Sequence, residues 1–264
     1  RGMKVCRADR GNARQFTCSF HGWTYTNHGE LRGVPLGEEA YGDRLDRSRW
    51  GLLEVPKLAS YGGLLFASWD AGADSLDDFL GEFRWYLDIL VERHLGGIEF
   101  IPGQQRYALQ SNWKIASENF AGDTYHLPYS HGSTYRLPVR QLNPGNPVMF
   151  AAKGTPHFNV ACANGHSMTG MMFGGERLAV DRRLAKEMGP EVVDFVEACH
   201  AHIQKVLSKQ QVDAYALNFG NIFPNFSLND FSALRPTGFY VWHPKAPDRF
   251  EAWQWCGVSR DAPQ

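Results

Sequence analysis

The first 70 residues alternate short apolar runs with turn-forming residues. Gly, Pro and Asn recur every few positions, as in Gly33-Val34-Pro35, and separate strand-like runs such as residues 14–18 and 64–69. Runs of this length between frequent turns are typical of β-strands. The segment is therefore predicted to form a small all-β domain.

A different pattern begins after the small polar run that ends at Ser75. The next apolar positions recur at helical spacing: Leu76, Phe79, Leu80, Phe83, Leu87, Leu90 and Val91. This period predicts an amphipathic helix that is N-capped by Asp74 or Ser75 and ends near Gly96. We place a domain boundary here, with one domain in residues 1–73 and the other in residues 74–264.

The second segment mixes strand and helix signals. Residues 98–110 are predicted to form one or two strands, and Asn112 to about Leu127 a helix, although it contains Gly122. A further helix is predicted from Pro190 to about Leu207. Aromatic runs after position 219 suggest the core of a sheet. The predicted fold class is α+β: a small all-β domain, then a domain with an antiparallel sheet flanked by helices.

Composition narrows the class of protein. The chain has 264 residues, of which 43% are hydrophobic, so it can form one large domain or two modest ones. The formal net charge is -1 and Lys and Arg are scattered, which argues against a nucleic-acid or anionic-membrane surface. No apolar run approaches the roughly 20 residues that span a bilayer.

The cysteines and the chain ends complete this first picture. Five widely spaced cysteines argue against a disulfide framework and for a reducing compartment, so we predict a cytoplasmic location with thiolates available as metal ligands. The chain begins at Arg1 and stops just after a strand-like run. We expect a fragment that is cut at both ends.

Candidate chemistry concentrates in residues 117–131, where Asp123, His126 and His131 stand among aromatic residues. Two imidazoles and a carboxylate suit a redox-active iron that keeps positions open for oxygen. The same residues could instead be buried, hydrogen-bonded side chains. On a helix Asp123 and His126 would share a face, whereas His131 lies about 140° from His126. We expect Pro128 to end the helix and allow His131 to return.

A second candidate site is the string Cys18-Ser19-Phe20-His21-Gly22-Trp23-Thr24-Tyr25. A bare Cys-x-x-His is a weak signal, but the full string resembles the second half of a Rieske [2Fe-2S] motif. In that motif two cysteines bind one iron and two histidines the other. The resemblance implies that Cys18 and His21 are cluster ligands. It also implies that the matching Cys-x-His precedes Arg1.

The two motifs together resemble one family. Asn112-Trp113-Lys114, followed by residues 118–131 with Asp123, His126 and His131, strongly resembles the catalytic segment of ring-hydroxylating dioxygenase α subunits. The likeness continues through Gly165-His166-Ser167-Met168 and Asn221-Ile222-Phe223-Pro224-Asn225. His126 and His131 are then expected to bind mononuclear Fe(II).

The third iron ligand is a separate question. In the family an aspartate completes a 2-His-1-carboxylate site roughly 150 residues after the second histidine, which lies beyond Gln264. Asp230, Asp248 and Asp261 are the candidates within the chain, and none has the family context. We therefore expect the ligand to lie outside this chain.

The resemblance also implies a function. Electrons would pass from a reductase, through a ferredoxin, to the Rieske cluster and then to Fe(II), where O2 adds to an arene to give a cis-dihydrodiol. Asp123 would link the two metals between neighbouring subunits rather than bind iron, which requires at least an α3 ring, commonly α3β3. Asn119 and Tyr125 would support or gate the site. Apolar residues 168–173 and 223–231 could line an aromatic substrate pocket.

Two alternatives stay open. A Rieske monooxygenase or demethylase has similar motifs, and a non-catalytic zinc-binding or structural protein could use the same ligands. The other histidines are less informative: His200 and His202 are interpreted as structural or surface residues, and His157 and His166 are left without a role. The chain has no Gly-x-Gly-x-x-Gly, so we expect no NAD or flavin site.

Overall fold

A computed structural model describes residues 2–8, 11–123, 126–131, 157–171, 176–215, 218–230 and 232–263. The chain divides into two compact units. Unit 1 comprises Arg1–Ala59 and Phe66–Ala73, and unit 2 comprises Ser60–Leu65 and Asp74–Gln264. None of the described helices is long and apolar enough to cross a lipid bilayer.

Unit 1 is built around a three-stranded antiparallel sheet. Its strands are β1 (Gln15–Thr17), β2 (Thr24–Thr26) and β3 (Leu31–Gly33). Thr17 pairs with Thr24 across the first hairpin, and their hydroxyl oxygens lie 3.0 Å apart. A short helix, α1 (Gly37–Tyr41), and two 3-10 turns, Gly42–Arg44 and Arg47–Trp50, follow the sheet.

A two-stranded sheet connects the sequence of unit 1 to that of unit 2. It consists of β4 (Lys57–Tyr61) and β5 (Leu64–Ser68). Its tip belongs to unit 2, where the hydroxyl of Tyr61 donates a hydrogen bond of 2.6 Å to the carboxylate of Asp88.

Unit 2 contains an eight-stranded sheet whose described pairings are antiparallel. In spatial order the strands are β6 (Ile98–Phe100), β13 (Arg249–Ser259), β12 (Thr237–Ala246), β11 (Phe226–Asp230), β10 (Asn218–Ile222), β9 (Ser167–Met171) and β8 (His157–Ala161), and β7 (Gln105–Leu109) also pairs with β13. The helices are α2 (Leu76–Leu80), α3 (Phe83–Val91), α4 (Trp113–Gly122), α5 (Leu127–Ser130), α6 (Glu176–Met188), α7 (Pro190–Val206) and α8 (Lys209–Ala214).

The core of unit 2 lies between this sheet and its helices. Phe83, Leu87 and Leu90 of α3 are completely buried, and a side chain at Gly220 of β10 would meet two of them. Apolar side chains along one helical face thus account for how α3 covers the sheet. The mixture of an antiparallel sheet with packed helices confirms the predicted α+β class.

Two predicted helices differ from the observed ones. The helix predicted from Leu76 onward is divided at Gly81, which has φ +49°, into α2 and α3. The helix predicted to reach Leu127 ends instead at Gly122. Pro128 does not end it, because Pro128 lies within the next helix, α5, near its start. Proline is tolerated in a first turn, where its missing N–H would have no partner within the helix.

Candidate metal centre

Helix α4 precedes the predicted iron ligands and is fixed at its start by Asn112. The Asn112 side-chain oxygen accepts a hydrogen bond of 3.0 Å from the backbone N–H of Lys114, which caps the helix. Its amide nitrogen donates a bond of 2.6 Å to the carbonyl of Pro247, in the turn between β12 and β13. One side chain therefore starts α4 and attaches it to the sheet.

Aromatic packing holds the middle of α4. Phe120 is buried, and its ring centre lies 4.9 Å from that of Tyr240, 5.6 Å from that of Trp242 and 5.7 Å from that of Phe219. The three partners belong to β12 and β10. Asn119, the neighbouring residue on the helix, is only half-buried.

The carboxylate of Asp123 organises the turn that follows α4. Its Oδ1 accepts a hydrogen bond of 3.3 Å from the backbone N–H of His126, and its Oδ2 lies 3.2 Å from Nδ1 of the same histidine. From their spacing, Asp123 and His126 were predicted to share one face of a helix. They meet across a non-helical turn instead, because Asp123 has φ −92° and ψ 74°. Nε2 of His126 is then the ring nitrogen left to face a metal.

The structure brings His126 and His131 close together. Their ring centres are 5.2 Å apart and their planes are inclined by 58°. An imidazole nitrogen lies about 2.1 Å from a bound metal, so two ligating rings at angles of about 90–110° have centres about 4.5–5.3 Å apart. The separation of the two rings fits a shared metal ion. The donor set of two imidazoles also suits Fe(II).

Among the residues that the structure describes, no third ligand joins this pair. Within the described residues, no group of three His, Cys, Asp or Glu side chains could hold a metal ion. Asp230 is fully buried, and its carboxylate lies 2.7 Å from the guanidinium of Arg93. Asp248 and Asp261 are exposed. Asp230 is thus engaged in an ion pair inside unit 2.

Cys18 and His21 occupy one tight turn in unit 1. The N–H of Cys18 donates a hydrogen bond of 2.8 Å to the carbonyl of Trp23, and the N–H of Gly22 donates one of 2.9 Å to the carbonyl of Cys18. Gly22 has φ +72°, and a Cβ there would lie 2.9 Å from Cγ of Pro35. The turn therefore requires glycine. Cys18 is half-buried and His21 is exposed, as a ligand pair at a surface loop would be.

The remaining sequence candidates have different outcomes. Tyr125 lies outside the described residues, and so do residues 172–173 and Phe231 of the predicted pocket. His200 is buried 3.6 Å from Asp181, and His202 lies 2.9 Å from the carbonyl of Glu92, which agrees with a structural role for both. His157 is the first residue of β8.

His166 is a functional candidate to which the sequence analysis gave no role. It is completely buried, and both of its ring nitrogens are hydrogen-bonded, to the backbone of Phe79 and of Phe223. Burial lowers the pKa of this imidazole. The residues around His166 resemble the family's sequence, but such a resemblance does not show which atoms the His166 side chain contacts.

Comparison with known proteins identifies the family. The profile described as "Ring hydroxylating alpha subunit (catalytic domain)" matches residues 80–264. The chain belongs to this family, and the resemblance inferred from the two motifs is confirmed at that level.

Individual relatives align with all or nearly all of this chain. Biphenyl 2,3-dioxygenase subunit alpha of Rhodococcus jostii (strain RHA1) is 35% identical over 100% of this chain and 55% of its own length. N,N-dimethyl phenylurea N-demethylase subunit alpha of Sphingobium sp. (strain YBL2) is 32% identical over 97% of this chain and 55% of its own. Naphthalene 1,2-dioxygenase from Rhodococcus sp., solved with indole, superposes with a TM-score of 0.73 at 33% identity, over 100% of this chain and 58% of that one. The chain spans about half the length of these relatives.

Proposed function

We propose that the chain belongs to the α subunit of an aromatic ring-hydroxylating dioxygenase, which adds both atoms of O2 to an aromatic hydrocarbon as a cis-dihydrodiol. The observation that carries the proposal is the approach of His126 and His131 to 5.2 Å between ring centres, beside the carboxylate of Asp123. Family membership supports it.

In this proposal residues 74–264 are the catalytic domain, and His126 and His131 hold the iron. Fe(II) held by these two imidazoles would supply the activation of O2. The chain's own contribution is orientation. Asp123 keeps Nδ1 of His126 turned toward itself, so that Nε2 faces the metal. Asn119, half-buried on α4, would support or gate the site.

Residues 1–73 are proposed to be the Rieske domain, in which Cys18 and His21 supply half of the ligands of a [2Fe-2S] cluster. The hydrogen-bonded turn from Cys18 to Gly22 supports this assignment, because Cys18 and His21 both belong to it. We propose a ferredoxin and a reductase as electron donors and an α3 or α3β3 assembly in the cytoplasm. Asp123 would then also conduct electrons between neighbouring subunits.

Replacing Asp123 separates these roles. We expect Asp123→Ala to abolish turnover while the iron content stays near that of the wild type, because the carboxylate orients a ligand without being one. Metal analysis and turnover in the holoenzyme are the measurements. Glu118→Ala removes an exposed carboxylate from α4, the helix that precedes Asp123, and should preserve both turnover and iron content. If Asp123→Ala lost its iron as well, the bridging role would be wrong.

A monooxygenase or demethylase is the second candidate, because a relative named as an N-demethylase subunit alpha is 32% identical to the chain. Turnover in isotopically labelled O2 distinguishes the two. A dioxygenase places both atoms of one O2 in the ring, whereas a monooxygenase or demethylase places one atom in its product and releases the other as water.

A further inference from the structure

Helix α4 has a second attachment to the sheet besides Asn112. The hydroxyl of Ser117 donates a hydrogen bond of 3.1 Å to the carbonyl of Pro224, and Ser117 is buried. Pro224 lies in the turn between β10 and β11. Ser117 lies on α4, six positions before Asp123, the residue that follows the end of this helix. Ser117 therefore attaches to the turn the helix that leads to Asp123 and His126.

That turn is held from two sides. The N–H of Phe223 donates a hydrogen bond of 3.0 Å to Nδ1 of His166. On the other side, the side-chain amide of Asn225 donates to the carbonyl of Trp242 at 2.8 Å, and the N–H of Trp242 donates to the carbonyl of Asn225 at 3.0 Å. The position of the Pro224 carbonyl is therefore determined by His166 and by β12.

His166 is in turn fixed by α2. Because Nδ1 accepts a hydrogen bond, Nε2 carries the proton, and it donates to the carbonyl of Phe79 at 2.8 Å. The side chain of Asn164 donates to the same carbonyl at 2.8 Å. The ring is completely buried. Its centre lies 4.6 Å from that of the Phe79 ring and 5.4 Å from that of the Phe83 ring. Neither its orientation nor its tautomer is free to vary.

We propose that His166 and Ser117 are positioning residues for the iron site. The hydrogen-bonded series from Phe79 through His166 and the Phe223-Pro224 turn to Ser117, which we call the brace, sets where α4 lies on the sheet. It thereby sets where Asp123 and His126 lie. The proposal rests on the proposed function, because it takes His126 and His131 as iron ligands. Displacements of about 1 Å at a reacting centre can reduce rates by about a hundredfold.

A second buried histidine provides a matched control. His94 is also buried in unit 2, and its two ring nitrogens lie 3.0 Å from the hydroxyl of Thr237 and 3.4 Å from that of Ser259. Both of these partners lie on β12 or β13, outside the brace. Substitution of His94 therefore removes an equivalent pair of buried polar contacts without releasing the turn at Pro224.

Two substitutions of His166 test which contact matters. The carboxamide oxygen of Asn can take the place of Nδ1 and accept from Phe223, whereas Gln can replace only the Nε2 donor to Phe79. We expect His166→Gln to speed hydrogen exchange in α4 by about tenfold, measured in the assembled enzyme after its mononuclear iron has been removed. In the iron-loaded holoenzyme we expect it to lower kcat by about tenfold, raise the share of O2 released as peroxide, and alter the EPR line shape of the Fe(II)–nitric oxide complex. His166→Asn should restore much of each, and His94→Gln should change none of them.

Each outcome is decisive. The brace would be overturned if His166→Gln kept the wild-type hydrogen exchange in α4, the wild-type share of O2 released as peroxide and the wild-type EPR line shape. It would also be overturned if His94→Gln changed these measurements as much as His166→Gln does. If His166→Gln does not fold, Ser117→Ala is compared with Ser259→Ala, since both remove one buried hydroxyl and only the first releases α4. His126→Ala is measured in parallel. Retention of iron in that variant would overturn the proposed function and the brace together, whereas loss of iron with unchanged His166→Gln overturns the brace alone.

Discussion

The two predicted metal-binding segments differ in how much apolar surface is buried around them. In unit 1, Leu31 is the single buried hydrophobic side chain among the described residues. Several large apolar side chains of unit 1 are exposed, including Phe20 at 71%, Leu36 at 72% and Leu53 at 87%. In unit 2, the segment with His126 follows a helix that is packed on an eight-stranded sheet.

This difference suggests where the geometry of each site comes from. Buried apolar surface contributes about 25 cal/mol per Å², and in unit 2 such surface packs α4 on the sheet through Phe120. Unit 1 buries little within itself, and small units of this kind usually depend on a metal or another constraint. A cluster bound by Cys18 and His21 would be such a constraint, since metal binding is coupled to folding.

The two units should differ most in stability when one phenylalanine is removed from each. Phe83→Ala should lower the free energy of unfolding by about 3–5 kcal/mol, because its completely buried ring packs against His166 and leaves a cavity when it is lost. Phe20→Ala should change it by no more than about 0.5 kcal/mol, since the ring is largely exposed. Chemical denaturation of both variants measures the two values. A loss of several kcal/mol in Phe20→Ala would show that unit 1 has a core of its own around this ring.

A smaller loss of stability is expected in unit 1, where the Cys18–His21 turn depends on a glycine with positive φ and not on a buried side chain. Gly22→Ala should destabilise the Cys18–His21 turn by about 1–3 kcal/mol, because φ is +72° and the new Cβ would lie 2.9 Å from Pro35. Hydrogen exchange at the amides of Cys18 and residue 22, both bonded within this turn, reports the change. Unit 2 should exchange as in the wild type. Unchanged exchange in the turn would mean that it relaxes to accept a side chain.

A parallel distinction appears in the response to acid. The described histidines of unit 1, His21 and His28, are exposed, whereas His94 and His166 of unit 2 are buried. Burial, followed by the nearby charge of Arg93, lowers the pKa of His94 to about 2. The unfolded chain binds a proton at this residue below about pH 6.5 and the folded chain does not. Stability from His94 is thus present above about pH 6.5 and is lost as the pH falls toward 2.

Between pH 7.5 and 5.5, unit 2 should lose about 1 kcal/mol of unfolding free energy through His94. The pKa of His166 is lowered too, so its contribution has the same sign. Denaturant unfolding at the two pH values measures the loss, with His94→Gln as the control. That variant should show a flatter pH dependence. An unchanged slope would assign the acid sensitivity to other groups.

Local signals predicted the elements of unit 2 better than they predicted its contacts. The helix from Pro190 has a proline at its first position and a broad apolar face, so both ends were predictable within about two residues. The end of α4 was missed because Asp123 bonds the backbone of His126. Such side-chain bonds compete with helix continuation and depend on the exact turn.

The supports of the candidate site were beyond a single sequence for another reason. His166 contacts the backbone of Phe79 and of Phe223, residues far from it along the chain. Asp230, one of the acids considered as a third ligand, pairs with distant Arg93. Hydrophobic period and local spacing carry no information on pairings of this kind. By contrast, the spacing of Asp123 and His126 did predict their approach, because three residues is a local distance.

The smallest effect concerns the glycine beside the iron segment, Gly122, which is the counterpart of Gly22. Gly122 is the last residue of α4, and no atom of the described residues outside its own helix and neighbours lies within 4 Å of a Cβ built there. Gly122→Ala should therefore raise the free energy of unfolding by about 0.5 kcal/mol, because alanine loses less backbone entropy in a helix. Chemical denaturation gives the sign, which should be opposite to that of Gly22→Ala. A loss of stability would mean that the end of α4 has no room for a methyl group, and the two segments would then share a requirement for glycine instead of differing in it.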